Sequence, residues 1–175
     1  MTNSNLLEGS DERGWQSIAG LFSQYSLPIE KGAALVDIQP VHPQEPKPEY
    51  NMPFLPAVIV EGGKTLWVAG CGPIPLYHMH PHVPEEERVW MSGGFREQFD
   101  RTMVNVKAVL GAAGAELSSV VKMTVYLTDM SMQNQLNEAI FHYFGRDRPP
   151  PRTLVGVTTL SHEDMLIEID ITAVV

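Results

Sequence analysis

Residues 120–130 read VVKMTVYLTDM, and within them Val121, Met123, Val125 and Leu127 alternate with Lys122, Thr124, Tyr126 and Thr128. Successive side chains of an extended chain point to opposite faces, so this spacing predicts a strand with one buried face. Upstream, Phe95, Phe99, Met103, Val106 and Leu110 recur at helical spacing, and Gly111 and Gly114 end the run. Downstream, Met132, Leu136, Ile140 and Phe144 recur at helical spacing, Ala139 and Tyr143 lie beside them, and Gly145 stops the second helix. A strand held between two amphipathic helices is the nucleus of the reading.

Beyond the second helix, Arg148-Pro149-Pro150-Pro151 is a stiff extended connection. Thr153–Leu160 reads as a strand and Leu166–Val174 as a closing one. In the latter, Leu166, Glu168, Asp170 and Thr172 lie on one side and Ile167, Ile169, Ile171 and Ala173 on the other. Before the first helix, Ala57–Val60 and Thr65–Gly70 flank Glu61-Gly62-Gly63-Lys64, which predicts a hairpin around a Gly-Gly turn. A Pro- and His-rich loop follows from Cys71 to about Glu87. The order β-β-α-β-α-β-β predicts an α+β domain, two helices covering one face of a mixed sheet. Leu66 and Val68, like Val155 and Val157, leave apolar residues on more than one face. Oligomerisation is the simplest cover, and a ring of copies makes clefts between neighbours suited to small ligands.

The N-terminal portion differs in character. Trp15, Ile18, Leu21, Phe22 and Tyr25 suit one short amphipathic helix, and Leu35–Val41 a strand. Pro40, Pro43, Pro46 and Pro48 then break regular structure. The expected division is an arm, residues 1–48, used for packing or oligomer contact, and a compact domain, residues 49–175.

The chain has 175 residues and is 43% hydrophobic, which excludes a wholly disordered chain. Its formal net charge of −9 repels phosphate backbones, so no nucleic-acid partner is expected. No apolar run reaches the length of a membrane span. Residues 1–14 lack a basic-then-apolar leader pattern, and the single cysteine, Cys71, excludes an intramolecular disulfide. A cytoplasmic location is the expectation.

Few residues are placed to do chemistry. Arg152 follows three prolines and precedes a strand, so its planar fork reaches a carboxylate at little ordering cost. A solvated arginine at a strand start is an equally good reading. Glu168 lies on the polar side of the closing strand; alternation favours a solvated face, while a cleft position would let it hold water or pass a proton. His78, His80 and His82 occupy alternate positions, so three imidazoles can converge on a metal. An exposed loop is the favoured reading there, and no metal or other cofactor is expected. A catalytic thiol at Cys71 needs an activating base, which the nearby histidines can supply, but a small buried filler is the favoured reading. Phosphate-binding glycine loops, nucleophile elbows and Cys-x-x-Cys pairs are missing.

Together, FDRTMVNVKAVL (99–110), GAAG (111–114), VVKMTVYLTDM (120–130), NEAIFHYFG (137–145), Pro151-Arg152-Thr153 and LIEIDITAV (166–174) closely resemble the RidA/YjgF (Rid) family over about Pro53–Val175. The resemblance implies a chorismate-mutase-like fold, a homotrimer with inter-subunit clefts, and metal-free, cofactor-free hydrolysis of reactive enamines and imines to keto acids and ammonia. It makes Arg152 the carboxylate-binding residue and Glu168 the residue that helps activate water. Asn137 matches a family asparagine, structural or at the cleft rim, and Leu154 stands where many members have a cysteine. Phe54 replaces a tyrosine and Ala69 a serine, in Val68-Ala69-Gly70-Cys71, so two polar groups of the cleft are missing. The implied substrate-binding set is Arg152, Phe54, Ala69, Gly70, Cys71, Asn137 and Leu154.

The leading expectation is therefore a deaminase of a small carboxylic acid's enamine or imine, with a larger, aminomuconate-like imine among the candidate substrates. Two alternatives remain: a non-catalytic trimer that binds keto acids, and a divergent hydrolase or lyase using the histidine loop. Ribonuclease activity, linked with some relatives, sits poorly with the acidic charge.

Overall fold

A computed structural model describes residues 35–45, 47 and 52–175. The helix expected over Trp15–Tyr25 lies outside them. The described strands are β1 (Asp37–Val41), β2 (Ala57–Glu61), β3 (Thr65–Cys71), β4 (Val120–Leu127), β5 (Arg152–Gly156) and β6 (Ile167–Val174). The helices are α1 (Pro84–Trp90), α2 (Phe95–Ala112) and α3 (Gln133–Phe144). The main sheet runs β3-β6-β4-β5, with β4 and β5 parallel and the other pairs antiparallel. It is a mixed sheet in an α+β arrangement, as the sequence predicts.

The alternation in β4 and β6 decides which face is covered. Met123, Val125 and Leu127 of β4 and Ile167, Ile169, Ile171 and Ala173 of β6 are buried in one core with Phe99, Met103, Val106 and Leu110 of α2 and Leu136, Ala139 and Ile140 of α3. Burial of each large side chain among them contributes about 1.5–3 kcal/mol. Lys122, Thr124 and Tyr126 of β4, with Glu168, Asp170 and Thr172 of β6, project from the opposite face. Trp67 of β3 pairs with Thr172 on that open face and is 79% exposed.

Two expectations are corrected. The hairpin between Ala57–Val60 and Thr65–Gly70 does not form: β2 pairs antiparallel with β1, and β3 with β6. Lys64 and Val175 exchange both backbone hydrogen bonds, at 2.6 and 2.9 Å, so β3 begins already committed to the closing strand. Gly62 and Gly63 both have positive φ, and a Cβ on Gly63 would lie 2.6 Å from Val174 Cγ1 and 2.7 Å from Val36 Cγ2. The turn is thus packed against β6 and Val36, not folded around a ladder of its own.

Secondly, the expected loop from Cys71 to about Glu87 ends earlier, at Val83, the residue before α1. Pro84 reads as a breaker, yet it occupies the first helical turn, where its missing N–H costs nothing, and Glu85, Glu86 and Glu87 suit the positive end of the helix.

The α2 face toward the loops carries buried polar groups. Gln98, 1% exposed, donates to Met91 O (3.1 Å) and Asp164 O (2.9 Å) and accepts from Leu166 N (2.9 Å). Asn105 donates to Gly72 O (2.8 Å) and Ile74 O (2.7 Å). These side chains take over backbone groups that the irregular segments leave unpaired. No helix among the described residues is long and apolar enough to cross a membrane.

Candidate functional site

The proline run sets Arg152. Leu55 N donates to Pro149 O (3.1 Å) and Met123 N to Pro151 O (3.0 Å), which fixes the entry to β5 from both sides. Arg152 then pairs in register with Met123, on the helix-covered side of the sheet. Its Nη2 donates to Asn137 Oδ1 of α3 at 2.8 Å, and Phe54 lies with its ring centre 5.9 Å from the guanidinium carbon. Nη1 is buried and has no hydrogen-bond partner among the described residues. Burial lowers the guanidinium's pKa, but an arginine remains charged throughout the physiological range. Leu154 follows on the same side, opposite Val125.

A buried charged nitrogen without an acceptor is costly. The Asn137 contact holds the fork in one orientation, and Nη1 is a donor that an anion can satisfy. A carboxylate has the matching geometry.

Beside this group lies a cavity of about 550 Å³, lined by Phe54, Leu55, Phe141, Arg146 and Pro149 together with residues 42–45. The Arg146 guanidinium sits 4.0 Å from the Phe141 ring centre. Phe141 and Arg146 are additions that no pattern in the sequence singles out, because their placement depends on how the end of α3 meets the segment around Phe54.

Glu168 occupies the other face. In register it opposes Tyr126 of β4. Tyr126 donates its hydroxyl proton to Asp170 at 2.8 Å, which raises the tyrosine pKa. Glu168 is also raised, first by burial and then by the neighbouring Asp170 charge. The register of β3 shifts between Val68 and Cys71, and Gly70 there lies so close that a Cβ would strike the Glu168 carboxylate. Ala69 precedes it, with its carbonyl 3.5 Å from Cys71 Sγ. Cys71 is buried, and burial, then Glu168 and Asp170, push its thiol up to about 11. Such a thiol stays protonated and unreactive, in keeping with a buried filler.

The sequence-derived site residues thus fall into two groups. Arg152, Asn137, Leu154 and Phe54 gather on the helix side of the sheet's β5 edge. Ala69, Gly70 and Glu168 gather around the β3–β6 pair, with Cys71 buried beneath. Arg152 and Glu168 stand two strands apart and, through Met123 and Tyr126 of β4, three residues apart along the strands, roughly 14 Å at ordinary spacing, and they project from opposite faces, so one chain does not bring them together. Tyr126 and Asp170 are the neighbours of Glu168 that sequence reasoning missed; alternation places both on one face, but only the β4–β6 register makes them partners.

His78, His80 and His82 converge: one ring nitrogen of each lies within 4.8 Å of the others.

Residues 45–175 match the family model described as endoribonuclease L-PSP. The chain belongs to that family, the RidA/YjgF proteins. A RutC family protein of Pyrococcus abyssi is 37% identical over 126 residues, which span 72% of this chain and 89% of the relative. RidA from an Antarctic Psychrobacter is 26% identical with a TM-score of 0.53, over 78% of this chain and 94% of that one. E. coli TdcF, solved with bound serine, is 27% identical with a TM-score of 0.50, over 65% of this chain and 82% of that one. This Rid chain therefore carries the family's sheet and helices, with the two halves of the candidate site divided between faces.

Proposed function

We propose that this Rid protein hydrolyses an enamine or imine of a carboxylic acid to the keto acid and ammonia, in a homotrimer whose clefts join Arg152 of one copy to Glu168 of a neighbour. The observation that carries the reading is the half-satisfied guanidinium: Nη2 is held by Asn137 and Nη1 is buried without an acceptor among the described residues. A substrate carboxylate completes it. TdcF, solved with serine, lends support, since serine carries such a carboxylate.

In the reaction, an enamine first tautomerises to the imine; water then adds to the carbon of the protonated imine as Glu168 accepts one of its protons. Glu168 returns that proton to the nitrogen of the carbinolamine, and as the C–N bond breaks and ammonia leaves, the hydroxyl proton passes to the Glu168 carboxylate and C=O forms. A carboxyl whose pKa is raised by burial and by Asp170 both accepts and returns a proton more readily near neutrality than an ordinary one. Arg152 binds and orients the substrate. The cavity beside Phe54, with its two aromatic rings, suits a substrate larger and less polar than 2-aminoacrylate, such as an aminomuconate-like imine.

The test is ammonia release from imino acids generated in situ by an amino-acid oxidase or dehydratase. Acceleration by the wild type and loss of about 100-fold or more in kcat/KM for Arg152→Ala are expected, the cost of one charge-assisted clamp. No acceleration with any imine, together with saturable binding of keto acids, would instead establish a binding trimer, the reading that the hydroxyl-free Phe54 and Ala69 favour.

A further inference from the structure

We propose that His78, His80 and His82 form a binding site for a divalent transition-metal ion of the zinc class, separate from the Arg152 and Glu168 groups. The tautomers follow from the partners. His78 Nδ1 lies 2.7 Å from Pro75 O, and a carbonyl only accepts, so this nitrogen carries the proton and Nε2 keeps its lone pair. His82 Nδ1 lies 2.6 Å from Glu87 Oε1, and a carboxylate likewise takes the Nδ1 proton. Both Nε2 atoms are then turned toward each other at 2.9 Å. Two lone pairs at that separation repel; a cation between them reverses the sign.

The surroundings are those of a ligand set. A backbone carbonyl on one imidazole and a carboxylate on another are the outer partners that fix the tautomer of metal-bound histidines and raise their basicity. Trp90, only 7% exposed, packs against both rings, with centroids 5.4 Å from His78 and 5.8 Å from His82, and limits their rotation. His80 completes the triangle, its ring centre 4.6 Å from that of His78 and 4.8 Å from that of His82. Tetrahedral coordination at about 2.0–2.1 Å separates ligand nitrogens by about 3.3 Å. The two closest nitrogens need only part by a few tenths of an ångström, and the exposed His80 swing inward. Three neutral imidazoles suit zinc, cobalt or nickel rather than magnesium or calcium.

The ion would pin the loop after β3 upon itself, with α1 held to it through the His82–Glu87 contact, and it leaves a fourth position open. Full-length protein, stripped with chelator and dialysed, is titrated with zinc chloride by calorimetry and with cobalt(II) by visible absorption. Uptake of one ion per chain, with the intense cobalt bands of tetrahedral coordination, is expected. His78→Ala and His82→Ala should each weaken binding by about 100-fold, and Glu87→Gln by about 10-fold, the usual effect of an outer partner. Unchanged binding is expected for His142→Ala and His162→Ala, which alter histidines elsewhere in the fold. Circular dichroism checks that each variant folds, and the exposed His80→Ala reads the site should the others fail. Absence of saturable uptake by the wild type overturns the proposal. So does wild-type affinity in whichever of the three histidine variants folds.

Discussion

At the scale of single residues, Arg152 has the sharpest consequences. Arg152→Lys keeps the charge but loses the fork, so Asn137 and a substrate carboxylate can no longer both be served in fixed geometry. We expect it to lose most of the activity lost by Arg152→Ala, mainly as a rise in KM. Gly70 is a second test. A methyl group there meets the end of a flexible side chain, so Gly70→Ala should cost less than about 1 kcal/mol of stability. It displaces the Glu168 carboxylate, so the rate of ammonia release should fall while the thermal midpoint barely moves. Glu168 itself predicts a pH signature. Its folded-state pKa lies above the ordinary value, so the native state favours the protonated form, and wild-type stability declines as pH rises through that raised value. Glu168→Gln lacks this loss. It should unfold at a higher temperature than wild type at neutral pH, by less than about 1 kcal/mol because the carboxyl keeps part of its solvent, and at the same temperature in acid. Arg152 and Glu168 were both legible as candidates from a proline run and a carboxylate in an apolar strand. Their placement on opposite faces was not, because it depends on the β4–β5 and β4–β6 registers, which no local pattern encodes.

Among the elements, β4, β6, α2 and α3 follow from periodicity, since each buries one face against the same core and the apolar spacing records that burial. The failures have the same cause from the other side. Two β-rich runs around Gly62-Gly63 look like a hairpin locally, but β3 finds its partner about a hundred residues away in β6, a choice made by tertiary packing. The first helix was hidden by Pro84, whose effect depends on whether it falls at the start or the middle of a helix. Gln98 is likewise silent in the pattern, a polar residue within an apolar stripe. Its amide joins the α1–α2 connection to the segment before β6. Gln98→Ala leaves two carbonyls and one N–H to find new partners and should cost about 3 kcal/mol, measured by denaturant unfolding. Gln98→Glu retains the acceptor for Leu166 N but turns a carboxylate toward two carbonyl oxygens, and we expect it to be at least as damaging.

For the whole molecule, the open face and the divided site make one argument. Trp67, 79% exposed, stands on that face beside the row of Tyr126, Glu168 and Asp170. If neighbouring copies cover it, sedimentation should find trimers, and Trp67→Glu should shift them toward monomer. The division of Arg152 and Glu168 has a stricter test. Arg152→Ala and Glu168→Ala chains, each inactive alone, are denatured, mixed in equal amounts and refolded together. Where each site draws one residue from each of two adjacent copies, about a quarter of the sites recover both, and that fraction of wild-type activity returns. Sites built within one chain return none.

The opposite-face arrangement also carries a meaning for dilution. If the reaction centre is assembled from two copies, it obeys mass action: folded chains kept below their dissociation constant remain intact yet idle. Specific activity should then rise with protein concentration until the assembly saturates, so that the abundance of the protein, and not only that of its substrate, sets whether a cell possesses the activity at all.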